Sequence, residues 1–180
     1  MSKEAKIDEE YPIGLQENGE KEEIDGVKIV EIIEKNFVVG DGRFVEVGRL
    51  SEEGTLLDLP ELKVRQINYA EMVPGTRKAW HLHKRQDEAW FIHPNSRLIV
   101  GFMDIREDSH TQGHIQRRVL GGGKAHLVFI PKGVAHGLSN PYPESASMNY
   151  LVDQHYDGSD EYRLPFDFKV GEDFWEIRTG

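Results

Sequence analysis

The stretch "PGTRKAWHLHKRQDEAWFI", residues 74–92, joins an alternating run, a polar turn and a second apolar run. Side chains two apart on a strand share a face, so His81 and His83 in "HLH" point the same way if this run is a strand. "KRQD" reads as a turn, and "EAWFI" reads as the next strand, opening on Glu88. Paired as a hairpin, the two strands would set Glu88 opposite the histidines. The texture continues on both sides: "VKIVEII", "RFVEVGRL", "KVRQINYAEM", "RLIVGFMDI", "HIQRRVL", "AHLVFI" and "SMNYLV" are short and β-rich. Turn clusters such as "VPGT", "HPNS", "LGGGK" and "NPYP" separate many of them. That rhythm predicts an all-β sandwich or barrel. "VKIVEIIEKN" has a weak helical pattern, but Val and Ile dominate it and favour a strand. "LGGGK" lacks the G-x4-G-K-[ST] spacing of a phosphate loop and reads as a hairpin turn.

The 180 residues suit one domain. Residues 1–26 carry three lysines and nine acidic groups, a net −6 of the chain's −10, and read as an acidic arm. The folded domain is expected over 27–180. With no cysteine, disulfides and thiolate ligands are excluded. There is no broad basic face, so nucleic-acid binding is not expected. The charged N-terminus lacks a secretory h-region, and no apolar run nears the roughly 20 residues needed to span a bilayer. The expectation is a cytoplasmic protein with no membrane partner.

Two imidazoles aimed into one interior, with a nearby carboxylate, suit either proton transfer or metal ligation. Another histidine, His136, follows a glycine turn in "PKGVAHGLSN". The spacing G-x5-H-x-H-x4-E (Gly75, His81, His83, Glu88), then P-x-G-x2-H-x3-N (Pro131, Gly133, His136, Asn140), resembles the two motifs of the cupin superfamily. The resemblance implies a cupin-type double-stranded β-helix, a jelly-roll barrel. In metal-binding cupins the three histidines and the glutamate are ligands. That implies a metal set of His81, His83, Glu88 and His136 for Fe, Mn, Ni, Cu or Zn. Burying these groups with no partner would cost roughly 1–3 kcal/mol each, which argues for a functional cavity.

A second resemblance runs through the same register. "QINYAEMVPGTRKAWH", "GRFVEV", "DIREDSHTQG", "IPKGVAHG" and the Tyr150, Tyr156, Glu161 spacing resemble the dTDP-4-dehydrorhamnose 3,5-epimerase family, itself cupin-like. The match covers about residues 30–168. It implies epimerisation of a nucleotide-linked 4-keto-6-deoxy sugar, by proton abstraction next to the ketone and return on the other face, with no cofactor. His81 would be the base and Tyr150 the acid. Asp104 and His136 would form an interior pair that orients the pocket. Gln66, Asn68, Lys78 and Arg77 would contact the nucleotide diphosphate, with Arg43 beside Gly42 where the family places a cation. By resemblance a homodimer is expected.

The sequence departs from that pattern at telling places. Lys78 stands for an arginine, His83 for a glutamine, and the late aspartate that polarises the catalytic histidine has no counterpart in the match. Two further readings therefore stand beside the epimerase. One is a metal-dependent isomerase or dioxygenase. The other is a non-catalytic sugar-binding barrel.

Overall fold

The computed structural model describes residues 23–33, 36–40 and 42–178. Twelve strands run along it: β1 Lys28–Ile32, β2 Asn36–Val39, β3 Gly42–Val45, β4 Gln66–Met72, β5 Arg77–Leu82, β6 Glu88–Ile92, β7 Arg97–Asp104, β8 Ile115–Gly121, β9 Ala125–Ile130, β10 Val134–Ser139, β11 Ala146–Val152 and β12 Tyr162–Arg163. A single turn of 3-10 helix follows at Glu172–Trp175. Ten strands form two antiparallel five-stranded sheets, ordered β1-β9-β6-β11-β4 and β12-β5-β10-β7-β8, while β2 and β3 pair only with each other. From β4 to β7, and again from β8 to β11, the chain changes sheet at each step. This is the expected jelly roll. No helix among the described residues is long and apolar enough to cross a membrane.

Two expected hairpins are not hairpins. β5 and β6 belong to different sheets, as do β8 and β9. The "KRQD" and "LGGGK" turns carry the chain across the sandwich. Glu88 therefore meets the histidines from the opposite wall rather than from a neighbouring strand. At the second crossing Gly121, Gly122 and Gly123 all have positive φ, and a Cβ on Gly121 would lie 2.0 Å from the Ser96 carbonyl oxygen.

The core has three layers because the central strands β6, β7, β9 and β10 are buried on both faces. Between the sheets lie Trp90, Ile92, Leu98, Val100, Phe102, Val128 and Ile130. Leu56, Leu59 and Leu62 cover the outer face of the first sheet against Phe91, Leu127 and Phe129. Phe174 and Trp175 cover the second, against Trp80, Ile99 and Met103. Gly101 makes that last contact possible: a Cβ there would fall 2.7 Å from ring atoms of both Phe174 and Trp175.

Most of the acidic arm, residues 1–22, lies outside the described residues. Its last four residues are described, and Ile24 is 1% exposed within the inner core. The packed fold therefore includes residues assigned to the arm, beginning before Val27. The anchor is Asp104, with no exposed surface. Its carboxylate accepts bonds from Arg106 Nη2 at 2.7 Å, Ser109 Oγ at 2.6 Å and Thr111 Oγ1 at 2.6 Å. Arg106 in turn donates to the Asp25 carbonyl, and the Asp25 amide donates to Thr111. Asp104 thus forms a structural network and does not pair with His136, because β10 places Val134, not His136, opposite it.

Burial raises the Asp104 pKa, but the bonds from Arg106, Ser109 and Thr111 outweigh it and hold the carboxyl down to about 2. A folded pKa below the unfolded one adds stability that is present above the unfolded value and lost as pH falls through the folded one. Unfolding free energy should therefore decline as pH drops from about 4, the ordinary aspartate value, towards about 2. Urea titrations across that range should show a shallower decline in Asp104→Asn, and a loss of roughly 1–3 kcal/mol at neutral pH. Gly101→Val should separate the 3-10 turn from the sheet and cost about 1–3 kcal/mol, read as a lower Tm.

Candidate active site

β4 inverts the usual strand pattern. Its polar residues Gln66 and Asn68 turn inward, while Ile67 and Tyr69 are 57% and 61% exposed. The inward face opens a cavity of about 810 Å³ between the sheets. One wall carries His81 from β5 and His136 from β10, which are register partners. Their rings stack at a centroid distance of 6.3 Å. The facing wall carries Glu88 and Trp90 from β6, Tyr150 from β11, and the Gln66–Asn68 ridge. Lys78 also lines the cavity.

Beneath the opening sits a buried polar knot. His136 Nε2 lies 3.0 Å from Glu88 Oε1, and Trp90 Nε1 donates to the same oxygen at 2.8 Å. Burial lowers the His136 pKa, but the Glu88 charge and hydrogen bond raise it more, so the net shift is upward. Glu88 shifts oppositely: burial raises its pKa, and His136, His83 and Trp90 together lower it further. The pair is an ion pair. His136 Nδ1 meets the Val134 carbonyl at 3.0 Å, and His83 Nδ1 meets the Asp160 carbonyl at 2.9 Å. Both imidazoles therefore aim Nε2 towards Glu88. Ligand atoms of His83, Glu88 and His136 lie within 4.8 Å of one another.

His81 is not a member of that cluster. The four-ligand set expected from the sequence comes together as three. His81 Nδ1 is 3.5 Å from Glu161 Oε1. Burial, followed by the nearby His136 and Arg163, pushes its pKa down to about 4. At neutral pH it is an uncharged imidazole with one lone pair available. Across the cavity, burial and then the charges of Glu88 and Glu161 raise the Tyr150 pKa, so the phenol keeps its proton. A neutral imidazole and a protonated phenol thus line one cavity from opposite sheets.

Two expected contacts fall outside the cavity lining. Arg77 bonds Glu176 at 2.6 Å and lies over the Phe166 ring at 4.6 Å, because alternation along β5 turns it away from Lys78. Arg43 donates to the Gly123 carbonyl at 2.7 Å and borders a second, smaller hollow with His93 and Asn149. Conversely, Arg65, Arg163 and Asp160 line the main cavity without having been singled out, and Glu161 had been noted only in the family spacing. Arg65 enters just before β4, its amide donating to the Val152 carbonyl at 2.8 Å, whereas the placement of Arg163, Asp160 and Glu161 depends on the β5–β12 pairing and on the loop before it, which no local pattern announces.

The model of the dTDP-4-dehydrorhamnose 3,5-epimerase family matches residues 22–173. The chain is 34% identical over 146 residues to the spore coat polysaccharide biosynthesis protein SpsL of Bacillus subtilis, covering 80% of this chain and 91% of SpsL. It is also 34% identical over 136 residues to the probable low-salt glycan biosynthesis epimerase Agl13 of Haloferax volcanii, covering 74% and 84%. In fold it is similar to NovW, a 4-keto-6-deoxy sugar epimerase of Streptomyces spheroides, with a TM-score of 0.71, 21% identity, and coverage of 89% and 79%. With two opposed sheets enclosing the cavity, and a family match over most of its length, the chain belongs to the dTDP-4-dehydrorhamnose 3,5-epimerase family.

Proposed function

We propose that this protein epimerises a nucleotide-linked 4-keto-6-deoxy sugar. The carrying observation is the pair of opposed groups in one cavity: neutral His81 on one sheet and protonated Tyr150 on the other. A C–H bond next to a ketone is acidic because its anion delocalises onto oxygen. His81 takes that proton, and Tyr150 supplies one to the opposite face of the carbanion carbon, which inverts the centre. Solvent exchange then resets both groups. Such positioned acid–base groups contribute typically ~10²–10⁴ in rate. Gln66, whose Oε1 accepts from the Tyr156 amide, and Asn68, bonded to Gln66 at 2.9 Å, offer a fixed polar ridge for the nucleotide. Lys78 supplies positive charge for the diphosphate. No cofactor is required. A homodimer fits the exposed Ile67 and Tyr69 on β4, a strand at the end of its sheet. A cytoplasmic location fits a nucleotide-linked substrate.

Incubation with dTDP-4-keto-6-deoxyglucose in D2O should place deuterium at C3 or C5. His81→Asn should lower that exchange by about 10²–10⁴ while nucleotide-induced thermal stabilisation remains. Stabilisation without any exchange in the unaltered protein would instead indicate a sugar-binding barrel.

One observation favours a second reading, a metal-dependent enzyme of the same fold. His83, Glu88 and His136 provide two imidazoles and a carboxylate, with both Nδ1 atoms committed to backbone carbonyls. This donor set fits a divalent Fe, Mn, Ni, Cu or Zn ion. Bound there, such an ion would supply Lewis-acid polarisation of a substrate oxygen. Elemental analysis after reconstitution decides between the readings. About one metal per chain, lost in His83→Ala, supports the metal; negligible metal in protein that exchanges deuterium supports the first reading.

A further inference from the structure

We propose that Glu161 is the positioning residue for His81, given the reading of His81 as the proton-abstracting base. Its carboxylate holds the imidazole with the proton on Nδ1 and the lone pair on Nε2. β12 pairs antiparallel with β5, setting Tyr162 opposite Leu82 and Arg163 opposite His81. This brings Glu161 Oε1 to 3.5 Å from His81 Nδ1.

The loop before β12 is fixed on several sides. The Asp160 carboxylate accepts the backbone amides of Lys84, Arg85 and Gln86 at 3.0, 3.0 and 3.2 Å. Arg85 Nη2 reaches back to Asp157 and Ser159. His83 Nδ1 meets the Asp160 carbonyl. The turn that follows the histidine strand is therefore bolted to the segment that presents Glu161. Arg163 Nη2 donates to Glu161 Oε1 at 2.7 Å and keeps that oxygen on the His81 side.

The side chains of His81 and Glu161 are 23% and 24% exposed, so water screens their contact far less than that of a surface pair. A carboxylate beside Nδ1 selects the Nδ1–H tautomer. Histidine without such a partner favours the Nε2–H tautomer, which would protonate the atom that must accept the substrate proton. Glu161 thus answers the question raised by the missing late aspartate: another carboxylate, entering from a different part of the chain, stands at the ring.

Nitrogen-15 NMR of histidine-labelled protein at pH 7.5 reads the tautomer directly. The unaltered protein should show His81 protonated on Nδ1. Glu161→Ala should shift His81 towards the Nε2–H form and lower kcat for deuterium exchange at least about 10-fold, with KM held within about 3-fold. Glu161→Gln, which keeps an acceptor oxygen, should lie nearer the unaltered protein in both measurements. An Nδ1–H tautomer that survives Glu161→Ala would overturn the proposal. So would a rise in KM at constant kcat, which would mark a substrate contact instead. If the unaltered protein exchanges no deuterium, the epimerase reading fails, and the tautomer measurement still decides the positioning role.

Discussion

An ionised carboxylate sits between two apolar sheets, and the surrounding structure is arranged to meet it. Glu88 is 4% exposed at the start of β6. Left alone it would cost several kcal/mol of lost hydration. His136 answers from the other sheet, Trp90 donates its indole N–H, and Gln86 donates a side-chain amide N–H at 3.3 Å. This knot links the two walls of the sandwich, and it borders both the inner core and the cavity through Trp90. Around it, side chains that would be anomalous elsewhere become consistent. The β4 strand turns Gln66 and Asn68 inward because that end of the interior is polar and open.

A second dependence runs through Asp160. Three consecutive backbone amides at a turn form a ready anion site, and the protein fills this one with its own carboxylate. The same residue's carbonyl sets the His83 tautomer, and the next residue faces His81. One loop thereby contacts both imidazoles at the end of β5. His83 points Nε2 at Glu88, and His81 has its Nδ1 beside the Glu161 carboxylate. The apparent competition for His81 between metal ligation and proton transfer eases in the fold, since His81 stands outside the cluster of three.

Much of the site was legible in advance. Gln66, Asn68, Lys78, His81, His136 and Tyr150 all line the one cavity. Strand alternation selects their faces, and the turn glycines set where each strand begins. The failures share a cause. Asp104, Arg77 and Arg43 each find a partner close at hand, in Arg106, Glu176 and the Gly123 carbonyl, and spacing alone does not show that a charge is already satisfied. The hairpins failed because a tight turn looks the same whether it joins neighbouring strands or crosses between sheets. Ile24 was hidden in an acidic context, although its own burial is complete to within 1%.

The sequence by itself determined the all-β class, the strand runs and the side chains that share a face, because a period of two is a local property of the backbone. It also carried the family, through motifs spread over most of the chain. Only the tertiary structure decided which faces meet. Glu88 and Tyr150 come from one sheet and His81 and His136 from the other, with His83 just past the end of β5, so their meeting is a property of sheet packing. The partner of His81 was decided the same way. Glu161 lies 80 residues further along the chain and arrives through a two-residue strand pairing too short to mark itself in the sequence.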